Sequence, residues 1–175
     1  NNVGYCYKFG KGVKKNLTTA FEWFKKAAGG SNRALFNLGL CFRDGEGVEQ
    51  DFSEAIKIFK LLVDKNDEDG ICALVFMYYE GKGVPINYKE AVRLTKLAIK
   101  QNHNKSQRNL GNFYEYGDGV KQDNVKALMW YTISLKNGWE ESKELIEKLA
   151  EKMSLDDMGK AEKLANEYLE KFRKN

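Results

Sequence analysis

The sequence predicts an all-α fold built by stacking helix–loop–helix repeats, and three observations carry that reading. A Gly-x-Gly-Val tetrapeptide occurs four times, at Gly10-Lys11-Gly12-Val13, Gly45-Glu46-Gly47-Val48, Gly81-Lys82-Gly83-Val84 and Gly117-Asp118-Gly119-Val120. Its first glycines stand at 10, 45, 81 and 117, steps of 35, 36 and 36 residues, and self-similarity at a period of this size marks a stacked-repeat architecture. Amphipathic helical stripes flank each tetrapeptide. A single proline in 175 residues argues for long, unkinked helices and against a proline-rich linker or a Greek-key β fold.

The second repeat shows the logic of all four. From Arg33 to Arg43 the apolar positions Ala34, Leu35, Leu38 and Phe42 form one helical face. Asp44-Gly45-Glu46-Gly47 stops that helix, because glycine takes positive φ without steric cost, and Val48 plugs the corner. Asp51 is suited to cap the next helix, with Glu54 at the capping-box position. That helix buries Ala55, Ile58, Phe59 and Leu62 and runs to about Asp64. The third repeat carries Ile71, Leu74 and Tyr78, then Asn87 as cap with Glu90 behind it, then Ala91, Leu94, Thr95 and Ala98. The fourth carries Leu110, Gly111 and Tyr114, a cap at Asp123, then Ala127, Trp130, Tyr131 and Ser134. The first keeps only the end of its leading helix, followed by the Asn16 cap and Ala20, Trp23, Phe24 and Ala27. The chain thus opens inside a repeat, which predicts further sequence ahead of it.

Four repeats are therefore expected, over 1–30, 31–66, 67–102 and 103–138, and a different segment over 139–175. In that segment Trp139 to Met153 and Ser154 to Phe172 read as two charged amphipathic helices, the second capped by Ser154 with Asp156 and Asp157 in its first turn. A terminal repeat must shield its stacking face, so the pair is assigned as a C-terminal cap. Small residues such as Gly39, Gly111 and Ala127 let helices approach, and Phe24, Phe59 and Tyr131 fill the space between layers.

Composition restricts function. Apolar residues at 42% supply a core and charged residues at 31% a polar surface, so a soluble chain is expected, with its compartment open. No apolar run approaches the roughly 18–20 residues of a membrane span, so no membrane insertion is expected. The net charge of +4 comes without a basic block. The densest basic stretch, Lys160 to Lys174, is interrupted by Glu162, Glu167 and Glu170, which reads as a solvated helix face and not as a nucleic-acid surface. Cys6, Cys41 and Cys72 lack CxxC spacing. Cys6 and Cys41 recur at equivalent places, about 8–10 Å apart on stacked helices, too far for a disulfide.

Chemistry finds little support. One histidine, His103, sits in a turn and is expected in solvent, and with three scattered cysteines it makes no zinc site. The carboxylates Asp64, Asp67, Glu68 and Asp69 lack calcium-loop spacing and suit helix capping. The glycine pairs end helices instead of opening one after a strand, so they do not read as phosphate loops. No catalytic residue, metal or cofactor is assigned, and the chain is read as a non-enzyme.

The stretch Ala34-Leu35-Phe36-Asn37-Leu38-Gly39-Leu40-Cys41-Phe42-Arg43-Asp44-Gly45-Glu46-Gly47-Val48, with Asp51, Ala55 and Phe59, resembles the Sel1-like repeat (SLR), a relative of the tetratricopeptide repeat. Leu110-Gly111, Tyr114, Gly117 to Val120, Asp123, Ala127 and Trp130-Tyr131 resemble it as closely, and Met153-Ser154 with Ala161, Leu164 and Ala165 resemble the closing helix of bacterial members. Gly70 and Ser106 depart from it where Ala34 stands, Val75 where Gly39 stands, and Gln107 at an apolar place, which softens individual helix contacts.

The resemblance implies a right-handed α/α superhelix, or solenoid, acting as a protein-interaction scaffold or adaptor. The first helix of each pair then lines a concave groove for a partner protein or peptide. Placed there are Asn2, Tyr5 and Lys8; Arg33, Phe36, Asn37, Leu40 and Arg43; Asp69, Cys72, Phe76 and Tyr79; and Lys105, Arg108, Asn109, Asn112 and Glu115. None is demanded by the core stripe. Phe36, Leu40, Phe76 and Tyr79 form an apolar patch, and Lys105, Arg108, Asn109 and Asn112 supply hydrogen-bond donors. The alternative is an accessory or regulatory repeat module of a larger enzyme or envelope protein, with the activity outside this chain.

Overall fold

In a computed structural model, residues 1–100 and 103–173 are described, with the side chains of 104 and 173 left aside. Residue 102, the expected end of the third repeat, and Lys174, the end of the basic stretch, lie outside the described residues. The chain forms two compact units, Asn1–Ile86 and Asn87–Asn175, and the described residues hold helices and turns without a strand.

The first unit contains α1 (Asn2–Phe9), α2 (Leu17–Ala27), a short 3-10 turn (Ala28–Gly30), α3 (Asn32–Asp44), α4 (Phe52–Asp64) and α5 (Glu68–Glu80). Each of α1, α3 and α5 stops on a left-handed glycine, Gly10, Gly45 and Gly81, with φ of 70°, 71° and 68°. Asn16 and Asp51 then accept from the amides of Thr19 and Glu54, both at 3.0 Å, to start α2 and α4. The capping box expected at Glu54 does not close. The Asp51 amide instead donates to Phe42 O at 2.8 Å, and the Glu54 carboxylate accepts from Lys57. Asp67 caps α5 through Gly70 N at 3.0 Å, which gives the acidic turn its expected structural use.

Two glycines show how the helices close on each other. A Cβ on Gly39 would lie 2.5 Å from the Phe59 ring, so α3 and α4 meet ring against backbone. A Cβ on Gly70 would lie 2.2 Å from Leu62 Cβ. Gly70 therefore brings α4 and α5 together instead of softening their contact, contrary to the sequence expectation. Phe24, Phe59, Leu62, Ile71 and Met77 are fully buried and form the centre of this unit.

The second unit contains α6 (Tyr88–Ile99), α7 (Asn104–Tyr116), α8 (Asn124–Lys136), α9 (Ser142–Ala150) and α10 (Leu155–Arg173). Asn87 and Asp123 cap α6 and α8 through Glu90 N and Lys126 N, both at 3.0 Å. The expected helix from Trp139 to Met153 is shorter. Gly138 is left-handed at φ 94°, the Trp139 amide turns back to Ser134 O at 3.0 Å, and α9 begins only at Ser142. Ser154 caps α10 as expected, accepting from Asp157 N at 3.1 Å.

Ala127, Leu128 and Tyr131 of α8 share a core with Leu149 of α9 and Ala161 of α10. Trp130 meets Tyr168 edge-on at 4.9 Å between ring centroids. Gln107, at a place where the repeat pattern wants an apolar side chain, is buried and accepts from Asn137 Nδ2 at 2.9 Å. His103 is half-buried at the start of α7 instead of lying in solvent.

Candidate functional site

In the first unit, side-chain contacts link the leading helices α1, α3 and α5, or the residues flanking them, from one repeat to the next. Lys8 pairs with Glu46, Asn37 Nδ2 donates to Asn1 Oδ1 at 2.9 Å, and Arg33 Nη1 pairs with Asp69 at 3.0 Å. The Arg43 guanidinium lies 5.4 Å from the Phe76 ring centroid. These contacts consume most of the polar groups. Arg43 is forked onto Asp44 through Nε and Nη2, both at 2.7 Å. Asn37, 3% exposed, belongs to the interior and not to an open face, a correction that follows from its bond to Asn1.

What this surface offers outward is apolar. Phe76 is 42% and Tyr79 37% exposed, one helical turn apart on α5. Phe36 and Leu40 are half-buried on α3, with Phe36 held 6.1 Å from the Phe59 ring. Tyr5 is half-buried, stacked on Phe9 at 5.4 Å and edge-on to Phe24 at 6.0 Å. Cys72 is half-buried. None of the three cysteines forms a disulfide, and burial pushes the Cys41 thiol up to about 11.

In the second unit, α7 carries the other expected residues. Lys105 is exposed, and Arg108, Asn109 and Asn112 are half-buried. The Tyr131 phenol of α8, itself buried, lies 2.7 Å from Glu115 Oε2 and 2.6 Å from Asn112 Oδ1. Its single proton serves one of these two acceptors at a time, and the carboxylate is the stronger. Burial, and then the Glu115 carboxylate, hold the phenol above its ordinary pKa. The Arg108 guanidinium lies over the Trp139 ring, 6.0 Å from its centroid, and Nη2 donates to Asn109 Oδ1 at 3.4 Å.

Sequence reasoning places Glu115 on the leading-helix face but misses its bond with Tyr131, and it misses Trp139. A signal for Glu115 existed: tyrosine stands at 131 where phenylalanine stands at 24 and 59, and a buried hydroxyl demands an acceptor. Trp139 carried no such signal, since the helix expected to start there does not.

Among the described residues no cluster of His, Cys, Asp and Glu could hold a metal ion, and no helix is long and apolar enough to cross a membrane.

The model of the Sel1 repeat matches residues 1–32, 32–67, 71–103 and 104–139. Among solved structures the chain is similar to a Sel1 repeat protein from Oxalobacter formigenes, at 33% identity and a TM-score of 0.70, over 83% of this chain and 60% of that one. It is also similar to a protective antigen with an SLR fold present in uropathogenic Escherichia coli strains, at 36% identity and a TM-score of 0.72, over 81% of this chain and 30% of the antigen. A putative Sel1 repeat protein from Klebsiella pneumoniae shares the fold at 18% identity and a TM-score of 0.54, over 85% and 75% of the two chains. The chain thus spans less than two thirds of each of the first two structures it matches. No curated protein matches it.

Proposed function

Because the chain belongs to the Sel1 repeat family, an all-α solenoid class whose members commonly mediate protein–protein interaction, we propose that it is an interaction module. Its α3–α5 face takes up an apolar segment of a partner protein. One observation carries this reading: Phe76 and Tyr79 are left exposed on that face, while Lys8, Arg33 and Arg43 are already paired with carboxylates. A partner therefore gains by covering apolar area and has few charges to strip of water. Exposed aromatic anchors ringed by satisfied polar groups are the usual centre of an interface. The Sel1 repeat is a scaffold architecture, and the proposal assigns no reaction to this chain. Any activity of a longer protein containing it would lie elsewhere.

The test places the photo-crosslinking residue p-benzoylphenylalanine at position 76 and, separately, at Lys60 on α4, and irradiates each variant in an extract of the native cells. A discrete adduct from position 76, competed by unlabelled chain and absent from position 60, is expected. Adducts from position 60 alone would move the interface off this face.

A further inference from the structure

The net charge of +4 is not spread evenly over the fold. Residues 1–30 hold six lysines and one carboxylate, Glu22, a surplus of five, so the rest of the chain carries one net negative charge. Three of the six lysines are engaged. Lys8 pairs with Glu46, and the ammonium groups of Lys25 and Lys26 lie over the rings of Phe21 and Trp23. Lys11, Lys14 and Lys15, in the loop between α1 and α2, are exposed and make no ion pair among the described residues.

Two apolar side chains are interleaved with these lysines. Phe9 is 54% and Val13 38% exposed, and every residue over 9–16 is exposed. The matching loops differ in charge. The second carries Glu46 and Glu49, the third balances Lys82 with Glu80, and the fourth has Asp118 and Asp123 about Lys121. The places of Phe9, Lys14 and Lys15 are exposed in all four repeats, so the exposure of these side chains follows from the position of the loop within a repeat.

The form of the loop selects the kind of partner. Gly12, at its tip, has nothing within 4 Å of an added Cβ, so the tip has no groove wall or strand edge along which a peptide would lie. Lysines are mobile point charges, without the planar fork that fixes one partner geometry, and residues 1–30 contain no arginine. A fluid, negatively charged surface needs neither a groove nor a fork. It attracts each lysine close to it, and it admits apolar side chains at the headgroup boundary while lysine stems keep their ammonium groups in the polar layer.

We propose that the first loop is a peripheral contact with an anionic lipid surface. Lys11, Lys14 and Lys15 sit among the headgroups, and Phe9 and Val13 dip into the boundary beneath them. The contact is weak and reversible, since three lysines and two apolar side chains make one modest anchor. It goes beyond the reading of the chain as an interaction module and does not depend on it.

The experiment mixes the full chain with vesicles of two parts phosphatidylcholine to one part phosphatidylglycerol, and with vesicles of phosphatidylcholine alone, and reads the bound fraction by sedimentation. A fluorescent hexaglutamate peptide, followed by anisotropy, is the protein-like probe. Binding to the mixed vesicles is expected, weakened by added salt, with none to phosphatidylcholine alone. Lys14→Gln and Lys15→Gln should each lower the partition about five-fold, and Phe9→Ala should lower it as well. Lys121→Gln, at the place of Lys14 in the fourth loop, should leave it unchanged. These side chains are all exposed, so the variants keep the fold, which thermal unfolding verifies. Absence of binding to the mixed vesicles, equal losses for Lys14→Gln and Lys121→Gln, or an unchanged partition in Phe9→Ala would overturn the lipid contact. Lysine-dependent capture of hexaglutamate without vesicle binding would overturn it too and reassign the loop to an acidic protein segment. The position-76 adduct enters none of these readouts, so either proposal can fail alone.

Discussion

Gly47 sits directly against the backbone of Leu17: a Cβ there would lie 2.1 Å from the Leu17 carbonyl oxygen. The second glycine of one loop is thus pressed onto the first turn of the trailing helix of the repeat before it. The same relation recurs within each unit, at Gly83 against Phe52 and at Gly119 against Tyr88. These glycines are required twice over, by φ values of 77°, 71° and 71° and by the contact itself.

Gly12 separates the two requirements, since it has φ of 72° but nothing within 4 Å of an added Cβ. Gly12→Ala should lose about 1–2 kcal/mol from the left-handed backbone alone. Gly47→Ala should lose that and at least about 2 kcal/mol more, because a rigid carbonyl must be displaced. Urea denaturation of the two variants side by side measures the difference, and equal losses would show that the contact carries no weight.

The face proposed for partner binding makes a contrast in stability. Phe76→Ala should change the unfolding free energy by less than about 1 kcal/mol, since the ring is 42% exposed. Phe59→Ala, at a fully buried ring, should cost about 3–5 kcal/mol. A large loss for Phe76→Ala would mark that ring as core and weaken its assignment as an anchor.

Tyr131→Phe removes the phenol that answers Glu115 while preserving the packing of α8. Glu115 is half-buried and can be rehydrated, so a loss of about 1–2 kcal/mol is expected. Glu115→Gln keeps an acceptor and should cost less. A double-mutant cycle read by thermal unfolding gives the coupling, and a value near zero would mean the bond is not made in solution.

Alkaline pH tests the burial of Cys41. Its thiol is raised from 9.0 to about 11 in the folded chain by desolvation, so between those values the unfolded chain ionises while the folded one holds its proton. The unfolded state then binds fewer protons, and stability falls as pH rises from about 9 to about 11. Cys41→Ala should flatten that part of the profile. The same burial predicts that Cys41 is alkylated by iodoacetamide after Cys6 and Cys72 under native conditions, which peptide mapping over time resolves.

The loops and caps were legible residue by residue. Glycine at a helix end and Asp or Asn at the next helix start act over a few neighbouring residues, so Gly45, Asp51, Asp123 and Ser154 could be assigned without the fold. The capping box at Glu54 was not, because the Asp51 amide finds its acceptor nine residues back in Phe42 O. The face proposed for partner binding was legible only in part. Phe76 and Tyr79 fall off the helical core stripe and are indeed exposed. Asn37, on the same reading, is buried, because its partner Asn1 stands at the start of another helix, 36 residues back.

The 35–36-residue period, the helix pairs and the family they belong to follow from local rules: glycine tolerates positive φ, capping side chains end the solvation of free amides, and apolar stripes choose the inner face. Which polar groups are spent and which stay available depended on three-dimensional packing. Arg33 reaches Asp69, 36 residues further on, while Arg108 meets no carboxylate among the described residues, although both are arginines on the leading helix of a repeat. A hydrogen bond or ion pair is settled by distances of about 3 Å between helices that the sequence separates by dozens of residues, and repeat periodicity does not carry that information.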